Sequence, residues 1–197
     1  MLNGLKFITS INDLYSLPQE GRAEIAFAGR SNAGKSSAIN TLANHNRLAF
    51  VSKTPGRTQL INYFSLGAHY IVDLPGYGYA KVPEKLRLHW QSIIASYLQN
   101  RSVLKGLILI MDARHPLTLL DQQMLDWFAP TGKPVHILLS KADKLSRNQA
   151  TFTLNKIKTD LSVSFPLITV QLFSSLKRQG IEEACKTIQS WLENSVL

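Results

Sequence analysis

Residues 23–36 read Ala23-Glu24-Ile25-Ala26-Phe27-Ala28-Gly29-Arg30-Ser31-Asn32-Ala33-Gly34-Lys35-Ser36. Ala23–Ala28 is an apolar strand, and the eight residues from Gly29 match G-x-x-x-x-G-K-[ST] in full. Glycines at 29 and 34 let the backbone curl so that successive amides face an anion. The helix that follows turns its positive N-terminal end to the same charge. Lys35 can reach β- and γ-phosphates, and the Ser36 hydroxyl can ligate Mg²⁺. A chance match in a chain of this length is on the order of 1%, and the strand–loop–helix setting lowers it further. A nucleoside triphosphate is the expected ligand.

Outward from this loop, apolar runs alternate with amphipathic ones in a βαβα rhythm, which predicts a mostly parallel sheet covered by helices on both faces. Six strands are expected: Ala23–Ala28, Leu60–Leu66, Tyr70–Asp73, Leu104–Met111, Val135–Leu139 and Ile168–Phe173. Residues 5–9 offer a short edge strand within an N-terminal extension, 1–21, ahead of a single domain spanning 22–197. Helices are expected over Ser36–Ala43, Leu117–Phe128 and Ser146–Lys158. Another starts at Pro83-Glu84, with Leu86, Trp90, Ile93, Ile94 and Tyr97 at helical spacing. A last one follows Gly180, where Ile181, Ala184, Cys185, Ile188 and Leu192 make an apolar stripe. Cys185 and the tryptophans Trp90 and Trp191 read as packing residues.

Composition narrows the class. The 197 residues are 45% hydrophobic and 18% charged, the balance of a globular chain. One cysteine excludes both an internal disulfide and a cysteine zinc cluster, and fits a reducing compartment. The longest apolar run, Leu107 to Met111, is far short of the ~20 residues of a membrane span, and the N-terminus lacks signal-peptide features. A cytoplasmic, monomeric protein is expected. Twenty-two Lys+Arg against 13 Asp+Glu give a formal charge of +9, which favours a polyanionic partner.

Two downstream elements select the nucleotide. Tyr70-Ile71-Val72-Asp73-Leu74-Pro75-Gly76 is a strand ending in D-x-x-G, where Asp73 can hold Mg²⁺ through water opposite Ser36 and the Gly76 amide can sense the γ-phosphate. Ser140-Lys141-Ala142-Asp143 follows the apolar strand Val135–Leu139. The Asp143 carboxylate can accept from guanine N1–H and N2–H₂; adenine has neither donor and would leave it unpaired. Amides at Phe173-Ser174-Ser175 can meet guanine O6. The polar loop Lys53-Thr54-Pro55-Gly56-Arg57-Thr58-Gln59 reads as a switch in which Thr54 or Thr58 completes the magnesium shell when the γ-phosphate is present.

The segments GRSNAGKSS, KTPGRTQLINYF, DLPGYGYAKV, MDARHPLT, SKADKL and FSSLKRQG together resemble the EngB (YihA-type) family of bacterial GTPases, relatives of Era and TrmE. The similarity runs from about residue 22 to the C-terminus. It implies a Ras-like P-loop GTPase fold, binding of GTP, GDP and Mg²⁺, and a role in assembling the large (50S) ribosomal subunit that supports normal cell division and septation. By position it implies that Gly29, Arg30, Ser31, Asn32, Ala33, Gly34, Lys35, Ser36 and Ser37 hold phosphates. The switch loop would contribute Gly56, Arg57, Thr58, Gln59 and Leu60, followed by Asp73, Leu74, Pro75 and Gly76. Ser140, Lys141, Ala142, Asp143, Phe173, Ser174 and Ser175 would hold guanine, and Ser36, Thr58 and Asp73 the magnesium. Lys35, Thr58 and Gly76 are the expected catalytic set. Relatives carry Asn or Thr where this chain has Ser140. Asp143 supplies most of the discrimination, so guanine specificity is expected to survive with weakened affinity.

Many GTPases place a water-orienting Gln directly after the D-x-x-G glycine. Here that residue is Tyr77, so slow intrinsic hydrolysis is expected. Help comes either from K⁺ at Asn32 or from a group supplied by the ribosomal partner. Asn32 is equally readable as a residue bonding its own loop. Lys81, Lys85, Arg87, Lys144, Arg147, Lys177 and Arg178 are candidate contacts to rRNA phosphates. Two other readings compete: a phosphotransferase, against which Lys141-Ala142-Asp143 speaks, and a GTP-dependent septal or cytoskeletal scaffold.

Overall fold

The computed structural model describes residues 1–18, 22–49, 60–78 and 84–193, without the side chains of Leu86 and Arg87. Among these residues seven strands form one sheet: β1 (Lys6–Ile11), β2 (Glu24–Gly29), β3 (Ile61–Leu66), β4 (His69–Asp73), β5 (Leu104–Asp112), β6 (Val135–Ser140) and β7 (Ile168–Leu172). Their order is β1-β3-β4-β2-β5-β6-β7. The expected six therefore become seven. The additional strand is the edge strand anticipated near residues 5–9, running antiparallel to β3. Its register shifts between Phe7 and Thr9, which breaks the alternation by which a strand is read from sequence. β3 is also antiparallel to β4, whereas β4, β2, β5, β6 and β7 are parallel.

Among the described residues, five α-helices cover the sheet: α1 (Lys35–Leu42), α2 (Glu84–Asn100), α3 (Leu119–Phe128), α4 (Arg147–Ser162) and α5 (Ile181–Glu193). Ala38, Ile39 and Leu42 of α1 share a core with Ala184, Cys185, Ile188 and Leu192 of α5, so Cys185 is a packing residue. Ile94, Tyr97 and Leu98 of α2, Met124, Leu125 and Phe128 of α3, and Ile157 and Leu161 of α4 pack into a second core. The alternate residues of β2 divide between the two: Ile25 and Phe27 join the first, Ala26 and Ala28 the second. That division is why parallel strands read as unbroken apolar runs.

The helix starts are set locally. α3 begins at Leu119 rather than Leu117 because Thr118 is its N-cap, in a capping box with Asp121. α4 is capped by Ser146 with Gln149 in the same manner and continues to Ser162, beyond the expected Lys158. Among the described residues no helix is long and apolar enough to cross a membrane.

Candidate guanine-nucleotide site

The parallel strands β2, β4, β5, β6 and β7 all end on one side of the sheet, so the loops that follow them converge there. This is where open α/β sheets bind ligands. The loop after β2 gets its curl from two left-handed residues, Asn32 at φ 63° and Gly34 at φ 100°. Gly34 is the N-cap of α1, and a side chain at its dihedral would be strained. The Ala33 amide donates to Arg30 O at 2.9 Å, closing the turn. Gly29 to Ser37 thus lie in one strand–loop–helix unit.

Asp73 ends β4 in register with Phe27, beside this loop. Its carboxylate forms an ion pair with the Lys35 ammonium, both side chains being mostly buried. On the other side Asn62 Nδ2 approaches Asp73 Oδ2 at 3.5 Å, and Ser10 Oγ donates to Asn62 Oδ1 at 2.6 Å. Asn62 was not anticipated, although it lies within the LINYF segment of the sequence. The chain after β4 continues along β2: Leu74 N donates to Phe27 O at 2.9 Å and Ser31 N to Tyr77 O at 2.7 Å. Leu74, Pro75 and Gly76 are therefore held against the phosphate loop. Leu60 precedes β3; Gly56, Arg57, Thr58 and Gln59, with Thr54, lie outside the described residues.

The Tyr77 side chain reaches α3. Its hydroxyl donates to Asp121 Oδ1 at 2.7 Å. Burial and the neighbouring Asp121 push the phenol pKa well above its ordinary value, so the proton stays on Tyr77.

The loop after β6 crosses the phosphate loop. The Ser140 hydroxyl donates to the Ala33 carbonyl and lies 3.1 Å from Met111 O. A hydroxyl is all that this tether needs, which accounts for a serine at the position. Lys141, at φ 57°, lays its stem over the loop, and its Nζ donates to Asn32 O at 2.6 Å. The same ammonium is 3.0 Å from Asp112 Oδ2 at the end of β5. Arg114 grips that carboxylate through Nε at 2.9 Å and Nη2 at 2.6 Å. Burial alone would raise the Asp112 pKa, but the Arg114 and Lys141 donors hold it well below the ordinary carboxylate range. The part Asp112 plays was not foreseen, although the Asp-Ala-Arg spacing carries it.

Asp143 meets the loop after β7. Ser174 Oγ donates to Asp143 Oδ1 at 2.5 Å, and Lys144 Nζ stands 3.5 Å from Oδ2. The Ser174 bond, ahead of Lys144, lowers the Asp143 pKa, so the carboxylate is an ionised acceptor at neutral pH. Ala142 N donates to Phe173 O at 3.1 Å, which brings the two loops together. Lys85, Lys144, Arg147, Lys177 and Arg178 are exposed; Lys81 and the Arg87 side chain lie outside the described residues.

A curled phosphate loop on a central parallel strand, with converging D-x-x-G and Lys-x-Asp loops, defines the P-loop GTPase class. A family model described as 50S ribosome-binding GTPase matches residues 24–141. A protein of Methylobacillus flagellatus named "Probable GTP-binding protein EngB" is 63% identical over 187 residues, 94% of this chain and 90% of its own. A protein of the same name from Neisseria meningitidis serogroup B is 61% identical over 196 residues, 98% and 93% of the two chains. Among solved structures, a probable GTP-binding protein engB has a TM-score of 0.70 at 22% identity, covering 87% of this chain and all of its own. Era in complex with MgGDPNP and nucleotides of 16S ribosomal RNA has a TM-score of 0.66 at 22% identity, covering 88% and 57%. The chain belongs to the EngB family of GTP-binding proteins and is a GTPase.

Proposed function

We propose that this GTPase is a molecular switch that joins the precursor of the large ribosomal subunit in one nucleotide state and leaves it in the other. In this reading it acts in the cytoplasm as a monomer and supports cell division and septation through ribosome supply. The Asp143–Ser174 pair, standing at the same end of the sheet as the phosphate loop, carries the nucleotide part of this reading. Asp143 accepts from guanine N1–H and N2–H₂ while amides of residues 173–175 meet O6. The stem of Lys141 lies along the base. The amides of the curled loop and Lys35 bind the phosphates, so a triphosphate competes with Asp73 for the Lys35 ammonium.

Oxygen donors suit Mg²⁺. Asp73 fits this role: it is a buried carboxylate beside the phosphate loop, with Asn62 at 3.5 Å from Oδ2. Ser36, Asp73 and Thr58 are the residues that would hold the ion, which when bound neutralises charge on the β- and γ-phosphate oxygens. With the Tyr77 hydroxyl engaged on Asp121, no side chain at that position orients water, and intrinsic hydrolysis is slow. K⁺ held at Asn32, or a group from the ribosomal partner, supplies the missing charge. Faster hydrolysis in K⁺ than in Na⁺ at matched ionic strength supports the first; equal rates eliminate it.

The partner reading is supported by the exposed cations. Lys144 and Arg147 follow β6 and Lys177 follows β7, so three of them stand at the nucleotide end of the sheet, whereas the Arg178 guanidinium reaches Asn44 beyond the far end of α1. Contacts of this kind bind rRNA phosphates without reading bases. The test is co-sedimentation with 50S particles and their precursors in GDP, GTP or a non-hydrolysable analogue. Association is expected to depend on the nucleotide and to lose that dependence in Lys35→Ala. Unchanged association across all states removes the switch reading.

A further inference from the structure

Two buried polar side chains interrupt the apolar interior of the sheet where β6 meets β7. His136 is buried on β6 and Gln171 on β7, with Thr169 in register with His136. Gln171 Nε2 donates to Gly180 O at 2.7 Å and lies 3.3 Å from Leu172 O. Both partners are carbonyls, so the amide nitrogen must face them and Oε1 must face His136. His136 Nε2 stands 2.7 Å from that oxygen and therefore carries the ring proton. Nδ1 is then an acceptor and takes the Thr169 hydroxyl at 2.6 Å. Each atom of the network has one consistent role.

The far end of this network is the loop that follows β7. Gly180, at φ 76°, passes so close that a Cβ there would collide with Gln171 Nε2 and the Leu172 carbonyl. Between Leu172 and Gly180 the loop is closed by Ser174 N donating to Gln179 O at 3.2 Å and Gln179 N donating to Ser174 O at 3.0 Å. Lys177 N donates to Ser174 Oγ at 3.0 Å, and that hydroxyl reaches Asp143. The loop is thus fixed at Gly180 by Gln171 and at Ser174 by Asp143.

We propose that Gln171, oriented by His136, is a positioning residue for guanine recognition: it anchors the exit of the 173–180 loop and so places the amides that meet O6. The proposal rests on the guanine-site reading given above. Without the Gln171 donor, Gly180 O keeps only the Ala184 amide of α5, at 3.2 Å, and the exit of the loop loses its side-chain tie to β7. The loss falls chiefly on the O6 contact, because those amides belong to the loosened loop itself, whereas Asp143 sits on the loop after β6 and touches this one through Ser174, at the end away from Gly180.

The test compares GDP with 6-thio-GDP, which keeps N1–H and the 2-amino group but offers a weak acceptor at position 6. Dissociation constants are measured for the full chain and for Gln171→Met, which is nearly isosteric and lacks the donor. The native chain is expected to prefer GDP, and Gln171→Met to narrow that preference about fivefold, the worth of one hydrogen bond. Equal losses for both nucleotides assign Gln171 a purely structural role and overturn the proposal. A native chain that does not distinguish the two nucleotides overturns the guanine-loop reading itself. If Gln171→Met fails to fold, Thr169→Val decides: it removes the exposed hydroxyl that holds the His136 ring and leaves Gln171 in place. A narrowed preference there supports the relay, and an unchanged one overturns it.

Discussion

The Tyr77 hydroxyl and Asp121 share a 2.7 Å hydrogen bond that ties the segment after β4 to the first turn of α3. Asp121 is at the same time the capping partner of Thr118, accepting from its hydroxyl at 2.7 Å and its amide at 2.9 Å. One buried carboxylate therefore starts a helix and holds down the residue that follows D-x-x-G. Tyr77→Phe keeps the ring and removes the donor. Urea unfolding is expected to show a loss of about 1.5–3 kcal/mol, as for a hydrogen bond to a charged group. The GTP hydrolysis rate is expected to stay within about twofold, because the hydroxyl is engaged on Asp121 of α3. A large fall in rate with unchanged stability contradicts this arrangement.

Ser140 ties the base loop to the phosphate loop through the Ala33 carbonyl. Ser140→Ala leaves that carbonyl without this donor and loosens both loops. Calorimetry is expected to give about five- to tenfold weaker GDP binding, with a stability loss near 1 kcal/mol. Ser140→Thr keeps the hydroxyl and is expected to bind GDP within about twofold of the native chain. Equal affinity in Ser140→Ala removes the tether from the account.

At the opposite end of β2, Glu24 is fully buried and paired with Arg101, whose Nη2 lies 2.6 Å from Oε1. Tyr97 donates to the same carboxylate at 2.8 Å, and Arg101 also donates to Pro18 O at 2.7 Å. Arg101→Met strands a buried charge and is expected to cost about 3–5 kcal/mol in thermal or urea unfolding. Adding Glu24→Gln removes the charge and is expected to restore much of the loss. If the double variant is no more stable than the single one, charge burial is not the cause.

His136 gives the fold a pH dependence of definite sign. Burial lowers its pKa, more than the Gln171 bond and the Glu183 charge raise it. Between that lowered value and the unfolded value of about 6.5, the unfolded chain binds more protons. The contribution is therefore fully present above about pH 6.5 and is lost as pH falls toward the folded pKa. The urea midpoint is expected to decline from pH 7.5 to 5.5, with the His136 ring resonance still that of neutral imidazole at pH 6.5. A ring already half protonated at pH 6.5 refutes the assignment.

The parallel strands and the phosphate loop were legible because their signals are local. Ala23–Ala28 is a continuous apolar run followed by a glycine-bracketed lysine, and the requirements of a curled backbone fix those residues within a few positions. Asp73 and Asp143 were legible by their place at strand ends. The edge strand β1 was only partly so, because its register shift hides the period of two and leaves Phe7 and Ile8 half-exposed. The α3 start was misplaced by two residues because the capping box, not the apolar periodicity, decides it.

By itself, then, the sequence determined the order of strands and helices, the phosphate loop and the family, because each rests on neighbouring residues or on motifs in fixed order. Only the tertiary structure decided the partners of Tyr77, Ser140 and Gln171. Those pairs join residues up to 107 positions apart, as in Ser140 and Ala33, and hydrogen bonds at such separation leave no periodicity in the chain. They exist because parallel strands end together, which places loops distant in sequence within reach of one another.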